Sequence, residues 1–287
     1  MSAPTTGGGP GGPGGRGGRG GPPQHATVTR TERLTDHLVR VWVGGPDVVA
    51  LDPGPYSDRY VKLVFPDPDA VLGPDGEAPR PLLRTYTIAV FDASTGEMAL
   101  DFVVHDDGPD AGVAAPWAVA AQPGDTVAFR GPGGGYAPSA GASWHLLIGD
   151  DSALPALAAA VAVLPPGARA HVLCEVAGPR DEIDLHVPDG TDVTVHWVHR
   201  GHGPVGSALA GWLADATLPG DAPDVFLHGE ATMVRALRRH LREERGYARE
   251  ALVSVSGYWR AGRTDEGWRA EKREWNEAVE ADDARVA

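Results

Sequence analysis

The sequence predicts two unlike folding units joined end to end. One is a six-stranded antiparallel β-barrel over residues 26–137, and the other a doubly wound parallel α/β sheet over residues 138–287. Three observations carry this. The first unit alternates apolar and polar residues in short runs separated by turn signals, the period of half-buried strands. The second alternates short apolar runs with longer stretches of helical spacing, as a parallel sheet with crossover helices does. Between them lies GPGGGYAPSAGAS, a Gly-rich junction. A chain of 287 residues is long enough to bury two such cores.

The elements follow in order. Residues 1–25 are read as a Gly/Pro-rich disordered tail, because MSAPTTGGGPGGPGGRGGRGGPP has almost no apolar side chains with which to offset the entropy of ordering. It has no apolar h-region, so it is not a signal peptide, and no run in the chain approaches a transmembrane helix. A cytoplasmic protein with no membrane partner is expected, and removal of residues 1–23 is expected to leave turnover unchanged. ATVTRTERL, LVRVWVGG, RYVKLVFP, RTYTIAVF, EMALDFVVHD and DTVAFRGP then read as six strands, with GGPD, PDPD, ASTGE and QPGD as turns. DAGVAAPWAVAAQ is the one helical candidate among them, and so little helix suggests a barrel. In the second unit HLLIG, RAHVLCEVA, VTVHWVHR, DVFLHG and ALVSVSGYW read as strands. DDSALPALAAAVAVL, SALAGWLADA, ATMVRALRRHLREERG and EGWRAEKREWNEAVEADD read as helices.

Composition excludes several functions. The formal net charge of −14 argues against a nucleic-acid binder. The single cysteine, Cys174, rules out an internal disulfide and a cysteine-ligated metal or cluster; it reads as a small core residue on a strand. His196 and His199 tempt as metal ligands, but their odd spacing puts them on opposite faces of a strand, and no HExxH pattern accompanies them. No metal site is expected. Most arginines of ATMVRALRRHLREERG read as a solvated face. Trp268 and Trp275, two helical turns apart, read as the face that docks the last helix.

Chemistry concentrates in RTYTIAV. On a strand, Arg84 and Tyr86 share one face while Thr85 and Thr87 take the other. A guanidinium fork suits a phosphate oxygen, a phenol ring a flat heterocycle, and a hydroxyl a polar ring atom. The same spacing also allows a surface arginine beside a core tyrosine. DFVVHDDGP ends a strand with Asp101 and His105 and leads into a helix whose N-terminus can face an anion. GDDS opens the helical stretch of the second unit, with Asp or Ser as its cap and free N–H groups that attract anions.

RTYT, DFVVHDDGP, PGDTVAFRGP, GDDSALPA, FLHGEATMVRALRRHLREERG and SGYWRAGRTDEGWRAEKREW, in this order, resemble the siderophore-interacting proteins. These are FAD-dependent ferric-siderophore reductases of the ferredoxin-reductase-like superfamily, and the resemblance spans about 26–280. It implies an FAD barrel followed by an NAD(P)H domain. Arg84, Thr85, Tyr86 and Thr87 then bind FAD through phosphate, ring face and flavin edge. Asp101, Phe102, Val103 and His105, with the turn at Gly108, follow the FAD backbone, and Trp117 lies near the pyrophosphate. Asp150, Asp151, Ser152 and Ala153 match the nucleotide-side turn, Glu230 a position near the nicotinamide, and Tyr258 and Trp259 the segment returning toward the flavin. This chain carries GPDAGVAAPW where the family has a tighter GPAxxW.

The implied reaction needs no certain catalytic acid or base. Hydride passes from NADH or NADPH to FAD, and single electrons pass on to an Fe(III) siderophore. Since ferric siderophores are often anionic and the chain is acidic, cations must gather at the flavin mouth. Lys62, the only lysine before residue 272, together with Arg260, Arg263 and Arg59, is the expected substrate-facing cluster. A monomer is expected. A general flavin reductase, a ferredoxin-fed oxidoreductase and a non-catalytic siderophore binder are the competing functions.

Overall fold

The computed structural model describes residues 22–68, 79–104 and 112–286. Six strands form a closed antiparallel barrel: β1 (Gln24–Thr35), β2 (Leu38–Gly44), β3 (Tyr60–Phe65), β4 (Leu82–Asp92), β5 (Glu97–Val103) and β6 (Thr126–Gly133), in the order β1-β2-β5-β4-β3-β6. In β3 the alternation is complete, with Val61, Leu63 and Phe65 buried and Tyr60, Lys62 and Val64 less so. Those buried residues meet Val41, Ile88, Leu100 and Phe129 in the barrel core. A one-turn helix α1 (Pro46–Val49) follows β2. The helix expected over 110–122 is shorter, α2 (Ala114–Ala120), and seats Trp117 against Phe65 and Phe102.

The junction is pinned rather than loose. Asp58 accepts hydrogen bonds from the Gly135 and Tyr136 amides, both at 2.8 Å, and Ser57 donates from its amide and hydroxyl to the Tyr136 carbonyl. Tyr136, 1 % exposed, then packs on Phe226 of the second unit.

The second unit is a five-stranded parallel sheet of β7 (His145–Asp150), β8 (Arg169–Val176), β9 (Asp192–His199), β10 (Asp224–Glu230) and β11 (Ser254–Trp259), in the order β11-β10-β7-β8-β9. Helices α3 (Leu154–Ala162), α4 (Ser207–Asp215), α5 (Ala231–Glu243) and α6 (Asp265–Asp283) cover its faces. Every residue of the central strand β7 is buried, as a parallel strand covered on both faces requires. Leu146 and Ile148 face a core shared with α4, α5 and α6; Leu147 faces α3 and the barrel residues Leu38 and Tyr136. Cys174 is fully buried in that second core.

The arginines of α5 correct the expectation of a solvated face. Arg238 is 8 % exposed and pairs with Asp283 at 2.5 Å, and Arg235 pairs with Asp282 at 2.6 Å. Arg245, just beyond α5, donates to carbonyls at the end of α4. The helix reads as solvated in sequence because its partner carboxylates lie 45–47 residues away. Trp268 and Trp275 are buried against the sheet with ring centroids 5.7 Å apart. Among the described residues no helix is long and apolar enough to cross a membrane.

Candidate functional site

A doubly wound sheet leaves a crevice where the strand order reverses, at the carboxyl ends of its strands. Here that point lies between β7 and β10, so Asp150 and Glu230, their last residues, flank it. Asp150 is fully buried and serves as a keystone. One oxygen accepts from the Ser152 amide (3.0 Å) and hydroxyl (2.5 Å); the other accepts from the Glu230 amide (2.7 Å) and the Trp259 indole N–H (3.1 Å). Its carboxylate thus ties the ends of β7, β10 and β11. Burial, followed by the nearby Asp151 charge, raises its pKa to about 7 against the pull of those donors.

Glycine makes this close approach possible. Gly229 has φ +139°, and a Cβ there would stand 2.7 Å from the Asp150 carboxyl carbon. Glu230 caps α5 by accepting from the Met233 amide, and its other oxygen accepts from the Ala261 amide. Asp151 pairs with Arg200 at 3.0 Å, and Arg200 also reaches Glu175. Ala153 is fully buried against Gly149.

The barrel meets this crevice through β4. Register pairs Arg84 with Leu63 and Tyr86 with Val61, so both face the side that Leu63 and Val61 fill, while Thr85 and Thr87 pair with Lys62 and Tyr60 on the other. Tyr86 is half-buried with its ring 4.2 Å from that of Phe102, which itself lies fully inside the core. Burial raises the Tyr86 phenol well above its ordinary value. Thr87 is buried and interacts with the phenol of Tyr258, and burial raises that phenol strongly, with Asp58, Asp150 and Tyr60 adding to the effect. Tyr258 therefore stands between the barrel and the crevice, its ring edge-on to His228 at 4.9 Å.

Several expected residues are already engaged. Asp101 accepts two hydrogen bonds from Arg40, at 2.7 and 2.8 Å across the β2–β5 ladder, so its carboxylate is spent inside the barrel wall. Val103 packs at the seam toward the second unit. Arg84 is held by α6, donating to Glu266 at 2.5 Å and 3.2 Å and to Asp265 at 3.4 Å. His105 and Gly108 lie outside the described residues.

The expected cation cluster is rearranged. Arg260 and Arg263 converge on one carboxylate, Glu271, at 2.7 and 2.6 Å, because the turn before α6 folds back on that helix. Arg59 precedes β3 at an odd spacing from Lys62; burial lowers its pKa, and its buried Nε has no hydrogen-bond partner among the described residues. Lys62 is instead joined by two residues that the sequence reading missed. Arg130 faces it across the β3–β6 ladder. Lys272 of α6 has its ammonium lowered by burial, then by Arg269 and Lys62, against the opposing Asp265. The signal was available: Lys62 and Lys272 are the only two lysines in the chain. Among the described residues no group of three or more His, Cys, Asp or Glu is placed to hold a metal ion.

A guanidinium and a half-buried phenol ring on one face of β4, with the Thr87 hydroxyl on the other, form a donor set that fits FAD, with its phosphates, flat ring system and polar ring edge. Comparison with known proteins agrees. Residues 27–136 match the model of the siderophore-interacting FAD-binding domain, and residues 142–262 that of the siderophore-interacting protein. An uncharacterized protein of Mycobacterium tuberculosis is 43% identical over 286 residues, covering 89% of this chain and 97% of that protein. The ferric vibriobactin reductase ViuB of Vibrio cholerae is 29% identical, covering 87% of this chain and 94% of its own. The crystal structure of the siderophore-interacting protein SipS of Aeromonas hydrophila superposes with a TM-score of 0.74 at 30% identity, over 89% of this chain and 98% of that one. A barrel and a parallel sheet that meet at β4 and β11, each matched by its own half of one family, make this chain a member of the siderophore-interacting protein family.

Proposed function

We propose that the chain is an FAD-dependent oxidoreductase that reduces an Fe(III) siderophore to Fe(II) with electrons from NADH or NADPH, releasing iron in the cytoplasm. The observation that carries the reading is the convergence on Tyr258. Tyr258 of β11 is hydrogen-bonded to Thr87 of the barrel and lies near enough to Asp58, Tyr60 and the switch-point Asp150 for their charges to bear on its phenol, so elements suited to a flavin and to a nicotinamide come close at one place. The reductase name of the Vibrio cholerae relative supports the reaction class.

FAD held here would supply the chemistry that links a two-electron nicotinamide donor to a one-electron Fe(III) acceptor. The chain's own residues supply position and charge. Arg84 pairs a phosphate oxygen, Tyr86 presents its ring and Thr87 a hydroxyl, while Asp150 and Glu230 fix the strand ends that flank the nucleotide crevice. Lys62, Lys272 and Arg130 offset the net charge of −14 where an anionic chelate must approach. Lys62→Glu is expected to raise KM for an anionic ferric chelate and to leave FAD content intact.

The test is the anaerobic visible spectrum of the purified protein. The expected sequence is a flavin spectrum that bleaches with NADH or NADPH and returns when a ferric siderophore is added. A flavin that bleaches only with reduced ferredoxin would replace the donor. A protein that binds the chelate and never carries flavin would replace the function with siderophore binding.

A further inference from the structure

Arg84 and the first turn of α6 form a clasp between the two units. Thr264 caps α6 by accepting from the Gly267 amide, which fixes the direction in which Asp265 and Glu266 leave the helix. Glu266 takes both terminal nitrogens of Arg84, at 2.5 and 3.2 Å, in the forked geometry that a phosphate would otherwise occupy. Asp265 adds a contact to Arg84 at 3.4 Å and binds Arg269 at 2.6 Å. Arg269 in turn donates to the Leu83 carbonyl, next to Arg84 in β4. Arg84 is only 16 % exposed, so an anion paired with it sits in a confined, weakly solvated space. Two carboxylates and a phosphate cannot share one guanidinium there without strong like-charge repulsion.

We infer that the carboxylates of Asp265 and Glu266 act as an internal phosphate mimic, closing α6 onto Arg84 until the diphosphate of FAD displaces them. The inference rests on the reading of Arg84 as a flavin phosphate ligand. Arg84 then answers to two competitors, the cofactor and the chain's own last helix. Glu266, 49 % exposed, can swing into solvent once displaced, which makes it the labile half of the clasp. Asp265, more buried and bound to Arg269, is the half that stays. Cofactor binding is thereby linked to the seating of α6, the helix that also carries Lys272.

The experiment is FAD titration of the flavin-free full-length protein, followed by flavin fluorescence, for the wild type and for Glu266→Gln. Removing the competing charge is expected to tighten FAD binding about tenfold. ADP, which carries the diphosphate without the flavin ring, is expected to tighten by a similar factor, read from its competition with FAD in the same titration. Unchanged or weaker binding of both ligands in Glu266→Gln overturns the clasp while leaving the flavin reading intact. Absence of FAD binding in wild type and variant alike overturns both. Amide hydrogen exchange of the wild type provides the second readout. FAD is expected to speed exchange in the first turn of α6, at Gly267 and Trp268, and slower or unchanged exchange with FAD bound overturns the proposal.

Discussion

Asp150 shows how much one side chain decides. It is an acceptor for four donors, yet it is wholly buried, and burial with Asp151 beside it raises its pKa from 3.8 to about 7. An acid whose folded pKa lies above its unfolded value makes the fold less stable as pH rises through that interval. The wild type should therefore lose stability between roughly pH 4 and 7 relative to Asp150→Asn, which cannot ionise. In urea unfolding, the cost of Asp150→Asn is expected to shrink between pH 5 and pH 8 by about 2–3 kcal/mol. A cost independent of pH would show that the four donors keep Asp150 ionised throughout. Asp101 gives a contrast at the same scale. Its bidentate partner Arg40 sits beside it in the wall, so Asp101→Asn should lower stability by about 2–3 kcal/mol. It should leave the affinity for FAD within twofold of wild type, read by the same flavin titration.

At the scale of the element, α5 and α6 separate ion pairs that matter from those that do not. Asp283 is 8 % exposed and takes Arg238 at 2.5 Å, with Arg242 and Arg249 also near it. Asp283→Asn leaves a buried guanidinium without its countercharge and should cost about 3 kcal/mol. Glu243 pairs with Arg239 at 3.8 Å, with both side chains about half exposed, and Glu243→Gln should cost less than about 0.5 kcal/mol. Thermal unfolding of the two variants side by side checks the difference; equal costs would mean that the buried seam contributes nothing special. Trp268 adds the apolar part of the same seam. It is 2 % exposed and touches Trp275, so Trp268→Ala should cost about 3–5 kcal/mol.

Over the whole molecule, a net charge of −14 works against the approach of an anion, and the two lysines with Arg130 form a local exception. Attraction of that kind is screened within about 8 Å at physiological ionic strength. KM for an anionic ferric chelate is therefore expected to rise several-fold between low salt and 0.5 M salt, and Lys62→Glu/Lys272→Glu should flatten that dependence. A salt response that persists in the double variant would move the approach route elsewhere on the surface.

The elements themselves were legible because they are local. Alternation in RYVKLVFP and helical spacing in the last segment depend on neighbours within one or two turns, and β3 and α6 stand where those patterns put them. The shared face of Arg84 and Tyr86 followed from the same period of two. What those faces meet was not legible. Glu266 reaches Arg84 across 182 positions, Asp283 reaches Arg238 across 45, and Lys272 nears Lys62 only when α6 closes on the barrel. Side-chain type and spacing thus determined the strands, the helices, the two units and the family resemblance. Only tertiary structure decided which charges are paired, which carboxylate is the keystone and which cations gather near Lys62. Those properties depend on desolvation and on partners distant in sequence, and neither is encoded within any one segment.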